Sequence, residues 1–291
     1  MPRKYSIILV VLCILGALSC SEDFFTSNKT IDIPDVESQL VVLADLTIGD
    51  SCAQLIVSET QNILDIEPFK IIRDAEVNIS GSGETFNFTI ADHDSTYSLC
   101  DRSSSLAGDY TLSISSGDRV IEANSTVPNR VDLSNVVFEL FKDTVSILDV
   151  NDLISFTIDD PPGDNYYSLK ASFFEDFGVG ILFEASYTIL NPEEVASSFE
   201  LFTDEEFRDS SRDFLLIMQR CCYLNESKIK KVRLTLSNLS EEAYLYRKSI
   251  IDYNKANSNP FIDPTNTYSN VNGGYGIFSF TNVSFYDIDV E

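Results

Sequence analysis

Histidine is nearly absent from this chain: its 291 residues include one, His93. A single imidazole cannot serve a two-histidine metal site. His93 also stands between Asp92 and Asp94 in an expected hairpin turn, where no apposed partner makes it a general base. The sequence carries no HExxH helix, GxSxG elbow, CxxC pair or phosphate-binding glycine loop. Basic residues are scarce too, with 20 Lys and Arg against 46 Asp and Glu, for a formal net charge of -26. Such a surface repels phosphate backbones, so nucleic acid is not an expected partner. It also gives no electrostatic hold on an anionic membrane. Carboxylates are so numerous that any glycosidase-like pair could be drawn, and the proposal carries no information. The chain therefore reads as a non-enzyme with no expected cofactor or metal.

Long apolar runs are lacking as well. The one near the start, Ile7 to Leu15, falls short of the roughly 20 residues that a permanent transmembrane helix needs. Preceded by Arg3 and Lys4 and followed by Gly16-Ala17-Leu18-Ser19-Cys20, it has the layout of a secretory signal. A small residue before a cysteine resembles the bacterial lipoprotein box, although Ala17 stands where a larger aliphatic residue is usual. The resemblance implies cleavage after Ser19 and acylation of Cys20, and more than one acyl chain suffices for stable anchoring. Residues 1–19 are thus the expected signal peptide and 20–37 a lipidated tether. Loss of Arg3 and Lys4 takes the formal charge from -26 to -28. Ser21-Glu22-Asp23 resembles a surface-export signal of Bacteroidota lipoproteins, or is simply the solvated start of the tether.

Six cysteines are present. Cys13 leaves with the signal and Cys20 takes lipid, so Cys52, Cys100, Cys221 and Cys222 remain in a compartment that permits disulfides. Four cysteines allow three pairings. Cys52 with Cys100 is favoured because both fall in the first domain, while Cys221 and Cys222 are neighbours whose mutual bond would strain the backbone.

Hydrophobic residues make up 44% of the chain, with 20 Phe and 13 Tyr, enough for a folded core despite the charge. From Leu40 the pattern has period two. Ala75-Val77-Ile79, Phe86-Phe88-Ile90, Tyr97-Leu99 and Tyr110-Leu112-Ile114 alternate with polar residues, separated by turns such as Gly81-Ser82-Gly83. Strands at this spacing indicate an immunoglobulin-like antiparallel sandwich over 38–128, ending at Thr126-Val127-Pro128. A second β-sandwich-like domain over 129–291 is marked by Ile154-Phe156-Ile158, Tyr166 to Ala171 and Val232-Leu234-Leu236. The acidic interval Glu193 to Arg212 reads as an insertion or long loop. One amphipathic helix is expected near 240–256: Ser240 caps it, Glu241 and Glu242 suit the positive end of its dipole, and Ala243, Tyr246, Ile250 and Tyr253 form a stripe for core packing. Ile277 to Phe285 reads as a last strand closing the second sheet. Acidic turns at Asp149–Asp152 and at Asp159-Asp160 with Asp164-Asn165 have the oxygen ligands calcium takes, but not the loop spacing, so solvated turns are expected.

Several of these segments together are similar to a known family. The stretch Asn259 to Phe278, the turn Pro162 to Tyr167, the Ser240-Glu241-Glu242 helix start, Pro68-Phe69 with Asp74 to Val77, and the lipobox resemble a Bacteroidota outer-membrane lipoprotein family catalogued as domain of unknown function 4249. The resemblance implies a protein lipid-anchored at the cell outer membrane, and leaves both the periplasmic and the outward-facing orientation open. It also implies a partnership with a TonB-dependent receptor in nutrient uptake, and it supplies no ligand or reaction. Sandwich loops or the Gly273, Gly274, Tyr275 region are the candidate contact surface. A surface adhesin or structural module is the alternative, and a hydrolase with an unrecognised site the third reading.

Overall fold

Alternating side chains become alternating burial. The computed structural model describes residues 37–62, 66, 68–91, 94–100, 106–141, 149–176, 182–185, 188–190, 201–221, 228–259 and 261–290. The signal segment, Cys20, His93 and Cys222 lie outside them. The first strands are β1 (Leu40–Ile48), β2 (Cys52–Glu59), β3 (Glu76–Gly81), β4 (Glu84–Ile90), β5 (Tyr97–Cys100), β6 (Gly108–Ser116) and β7 (Arg119–Val127). They hydrogen-bond in the order β1-β2-β5-β4-β3-β6-β7 around one hydrophobic cluster that holds Val42, Leu55, Ile79, Phe88, Leu112 and Ile121. Tyr97 is buried in it, and its hydroxyl accepts from the Ala75 amide and donates to the Ile72 carbonyl, both at 3.0 Å. That bond pair adds to the main-chain bonds of Lys70 and Ile72 with Glu59 and Val57 in pinning the segment between β2 and β3.

A second cluster forms between two layers. One layer is a four-stranded sheet in the order β12-β14-β9-β8, built from β8 (Leu133–Phe141), β9 (Asp149–Asp159), β12 (Thr188–Leu190) and β14 (Ser211–Cys221). The other continues the large sheet through β11 (Leu182–Ala185), β10 (Tyr166–Asp176), β15 (Lys228–Leu239) and β16 (Tyr275–Asp289). Ile154, Phe156 and Ile158 meet Leu169, Val232, Leu234 and Leu236 between them. The fold is thus mostly β and sandwich-like, with one helix among the described residues, α1 (Glu241–Ser258).

β16 is longer than the last strand the pattern suggests, and it serves both clusters. Its first half runs parallel to β1, Val41 opposite Tyr275 through Ile48 opposite Asn282. Its second half runs antiparallel to β15, Leu239 opposite Thr281 through Lys231 opposite Asp289. Phe278 and Phe280 turn inward to the first cluster, with ring centroids 5.1 Å apart. On the other face Asp45 accepts hydrogen bonds from Ser279, Thr281 and Arg247 of the helix. The residues from Ser38 to Glu291 form one compact unit.

Two expectations change in detail. The interval read as a loop up to Arg212 is packed where it is described. β13 (Phe202–Thr203) pairs with β10, Phe207 is buried against Tyr167 and Phe214, and Ser211 already belongs to β14. The helix stripe is shallower than its spacing suggests. Ala243 is buried, Tyr246 and Ile250 are half-buried, and Tyr253 is 42% exposed, because the helix rests on the rim of β16 and is held partly by the Arg247–Asp45 ion pair.

Candidate functional site

The candidate site residues Cys52 and Cys100 and the 273–275 region do not converge on one place, whereas the Pro162 to Tyr167 turn and the Ser240-Glu241-Glu242 helix start do meet. Cys52 and Cys100 face each other across β2 and β5 and are joined by a disulfide, with Cα atoms 4.0 Å apart. Gly273 and Gly274 have a packing reason. Asn272 exchanges two backbone hydrogen bonds with Glu122 of β7, which brings the chain close to its neighbours. A Cβ on Gly273 (φ +80°) would sit 2.7 Å from the Val120 carbonyl, and one on Gly274 would collide with the Leu40 carbonyl. Tyr275, the next residue, is 53% exposed.

The two acidic segments fare differently from solvated turns. Asp149–Asp152 begins strand β9. In the other, Asp160 is buried and accepts from the Tyr167 hydroxyl (2.6 Å) and the Asp209 amide (2.9 Å). Burial pushes its carboxyl pKa up against those two bonds. Asn165 is buried as well and donates to the Pro161 and Gly163 carbonyls, while its own amide donates to buried Asp204. Asp164 is exposed and pairs with Arg208 at 2.5 Å. Among the described residues no group of three or more His, Cys, Asp or Glu side chains is placed to hold a metal ion.

This turn forms one wall of a cleft of about 350 Å³. The opposite wall is the end of β7 with the residues that follow it, Thr126 to Asn129, and the floor is the end of β15 with the start of α1, from Asn238 to Glu242. The 126–129 wall is tied down to β15, β16 and the helix start. Asn282 donates to the Pro128 carbonyl at 3.1 Å, Asn238 Nδ2 to the Asn129 carbonyl at 3.0 Å, and Ser125 to Glu242 at 2.8 Å. Ser240 caps the helix by accepting from the Ala243 amide, and it accepts from the Phe280 amide too, both at 3.3 Å. Tyr166 lines the cleft with its ring 4.9 Å from that of Tyr244. Burial first, and then the negative charges of Glu241 and Asp164, raise its phenol pKa.

One atom at the floor is unsatisfied. Asn238 is 1% exposed, and its Oδ1 has no hydrogen-bond partner among the described residues. A buried carbonyl left unpaired costs about 1–3 kcal/mol. The cleft draws on three separate segments, 126–129, 162–166 and 238–242, which is why local patterns do not show it. One signal was present: Asn238 continues the parity of Val232, Leu234 and Leu236, an inward position where an apolar residue is the rule.

A family model described as a domain of unknown function, DUF4249, matches residues 27–286. The chain belongs to the DUF4249 family. The match takes in the helix, the described strands as far as Tyr286 of β16, and all thirteen residues that line the cleft. No curated protein and no solved structure matches the chain.

Proposed function

We propose that this DUF4249 chain is a lipid-anchored accessory protein of the outer membrane. It is held through Cys20 and works by binding rather than turnover, beside a TonB-dependent receptor in nutrient uptake. The anchor rests on the signal layout from Arg3 to Cys20. Binding rests on the cleft, whose polar groups already have structural duties. Glu242 holds Ser125, Asp164 holds Arg208, and Asn165 holds its own turn, an arrangement suited to a fixed recognition surface. Its volume, at the low end of the range for small-ligand sites, suits a ligand no larger than a dipeptide or disaccharide. Tyr275, exposed beside the close-packed glycines, is the proposed contact toward the receptor.

Affinity purification of the tagged chain from membranes tests the partnership, with metabolic incorporation of a fatty-acid probe alongside. The expected result is a labelled protein that brings down a TonB-dependent receptor, with less recovered by Tyr275→Ala. An unlabelled protein recovered alone from the soluble fraction overturns the proposal.

A further inference from the structure

An antiparallel strand pair with one wet face carries polar residues at its outward positions. β1 and β2 break that rule at one end. Leu40, Val42 and Ala44 of β1 and Leu55 and Val57 of β2 point into the first hydrophobic cluster, so Val41, Leu43 and Ile56 point outward. The pairing sets Leu43 opposite Ile56 and Val41 opposite Ser58. On the far side of β2, Ile71 bridges to Ser58 while Ile72 turns into the core, so Ile71 extends the outward row. Leu43 is 44% exposed and nearby Phe69 57%, with Val41, Ile56 and Ile71 half-buried. Tyr275, opposite Val41 on β16, borders the row on its other side. The result is a continuous apolar band across adjacent segments, the kind of surface that marks a contact.

The place where the chain enters the fold indicates what covers this band. The Ser38 hydroxyl donates to the Thr60 carbonyl at 3.2 Å, and the Gln39 amide to the Thr60 hydroxyl at 3.0 Å, just past the end of β2. The Glu59 amide donates to the Lys70 carbonyl beside them. The segment that leads back to Cys20 therefore joins β1 at the same end that carries the band. We infer, on the reading of Cys20 as a lipid anchor, that this outward face of β1 and β2 lies against the surface of the membrane its acyl chains enter. Acylation makes a second contact with that membrane intramolecular, so a band too weak to hold a protein by itself suffices to fix its orientation. Apolar side chains of such a surface sink to the boundary between headgroups and acyl chains, and the amphipathic ring of Tyr275 suits the headgroup level. Charge adds nothing to the hold. Lys70 and Arg119, the cations beside the entry, both pair with Glu59, and a chain of net charge -26 gains nothing from anionic lipid. With the band on the lipid, Tyr275 stands at its margin, where a receptor spanning the same membrane would meet it.

Photolabelling of the full acylated chain in phosphatidylcholine vesicles that contain a diazirine-bearing phosphatidylcholine tests it. Mass spectrometry reads the labelled peptides and the acyl chains on Cys20 in the same sample. The expected result is label about tenfold denser on peptides that carry Val41 to Leu43, Ile56 and Phe69 to Ile71 than on those from β14 or α1, unchanged by about 0.5 M salt. Leu43 and Phe69 are exposed, so the Leu43→Ser, Phe69→Ser variant should keep the parent's urea midpoint while label on this face drops to the level of β14. Lys70→Gln should leave the labelling as it is. Label spread evenly, or gathered on another face of an acylated chain, overturns the inference and leaves the anchor standing. Label on this face that fades with salt makes the contact electrostatic and overturns it as well. Copies cross-linked through Leu43 with the face unlabelled assign the band to a second copy of the chain. An unacylated Cys20 removes the anchor and the membrane contact together, and the mass of the N-terminal peptide shows which of the two has failed.

Discussion

Gly276 is the residue on which the two-sided use of β16 depends. It lies opposite Val42 in the parallel pair with β1, at φ +119°, and a Cβ there would overlap the Val42 carbonyl. Replacement by alanine therefore adds two costs. The first is backbone strain, about 1–3 kcal/mol for a non-glycine residue in this region. The second is steric: β1 and β16 must separate, weakening two or three ladder hydrogen bonds worth about 1 kcal/mol each. Gly163 separates the two costs, because it has nearly the same φ, +110°, with no atom within 4 Å of where its Cβ would stand. Gly163→Ala should then lose about 1–2 kcal/mol, and Gly276→Ala about 2–3 kcal/mol more. Out of a total stability on the order of 5–15 kcal/mol, that difference is large. Urea unfolding of both variants, followed by tyrosine fluorescence and far-ultraviolet dichroism, reads it as a shift in midpoint. Coincident midpoints for the two alanines would refute the close parallel pairing.

Two further outcomes follow from local geometry. The Cys52–Cys100 bond closes a loop with sequence separation 48, for which chain entropy gives about 4 kcal/mol. Reductant should lower the urea midpoint of the parent by that order and leave a Cys52→Ser, Cys100→Ser variant unmoved, and a parent indifferent to reductant contradicts the bond. Asp287 takes hydrogen bonds from Arg233 and Lys231 across β15 and β16, and the Arg233 bond above all holds its carboxyl well below the usual range. A carboxyl depressed in the folded state contributes stability that is present above its unfolded pKa, about 3.9, and is lost as pH falls below it. Asp287→Asn should lower stability at neutral pH and flatten the acid limb below about pH 4, and an unchanged acid limb counts against this pair as its source.

Half-buried strands with one wet face announce themselves by period two, which is why Val77-Ile79, Tyr110-Leu112-Ile114 and Val232-Leu234-Leu236 are legible as strands with their inward faces correct. The helix start is legible for the same local reason, since a cap needs only Ser240 and the residues just after it. What crosses the sequence is not. A parallel pairing between residues near 45 and residues near 279 leaves no spacing to read, and Asp45 looks like any polar residue on a wet face until Ser279, Thr281 and Arg247 surround it. The glycines at 273, 274 and 276 are visible signals whose meaning lies in Val120, Leu40 and Val42, far away in the chain. Asp160 likewise reads as a solvated turn, and only Tyr167 and Asp209 make it a buried acceptor.

Asn238 departs from the apolar parity of its own strand. A leucine there would continue the apolar face of β15 and, fully buried, would contribute about 1.5–3 kcal/mol. Asparagine forgoes that gain, and its Oδ1 has no hydrogen-bond partner among the described residues. Its amide nitrogen does have a structural task in the Asn129 carbonyl, but that bond returns only about 1 kcal/mol. Stability alone therefore does not account for the residue. Departures from the local rule without a local return are expected where a site needs them. This one stands at the floor of the cleft, where the 126–129 connection, the 162–166 turn and the helix start meet. The task the structure shows for it is at a joint of the fold, where its Nδ2 works with Asn282 and Glu242 to hold the segment from Ser125 to Asn129 against β15, β16 and the helix start.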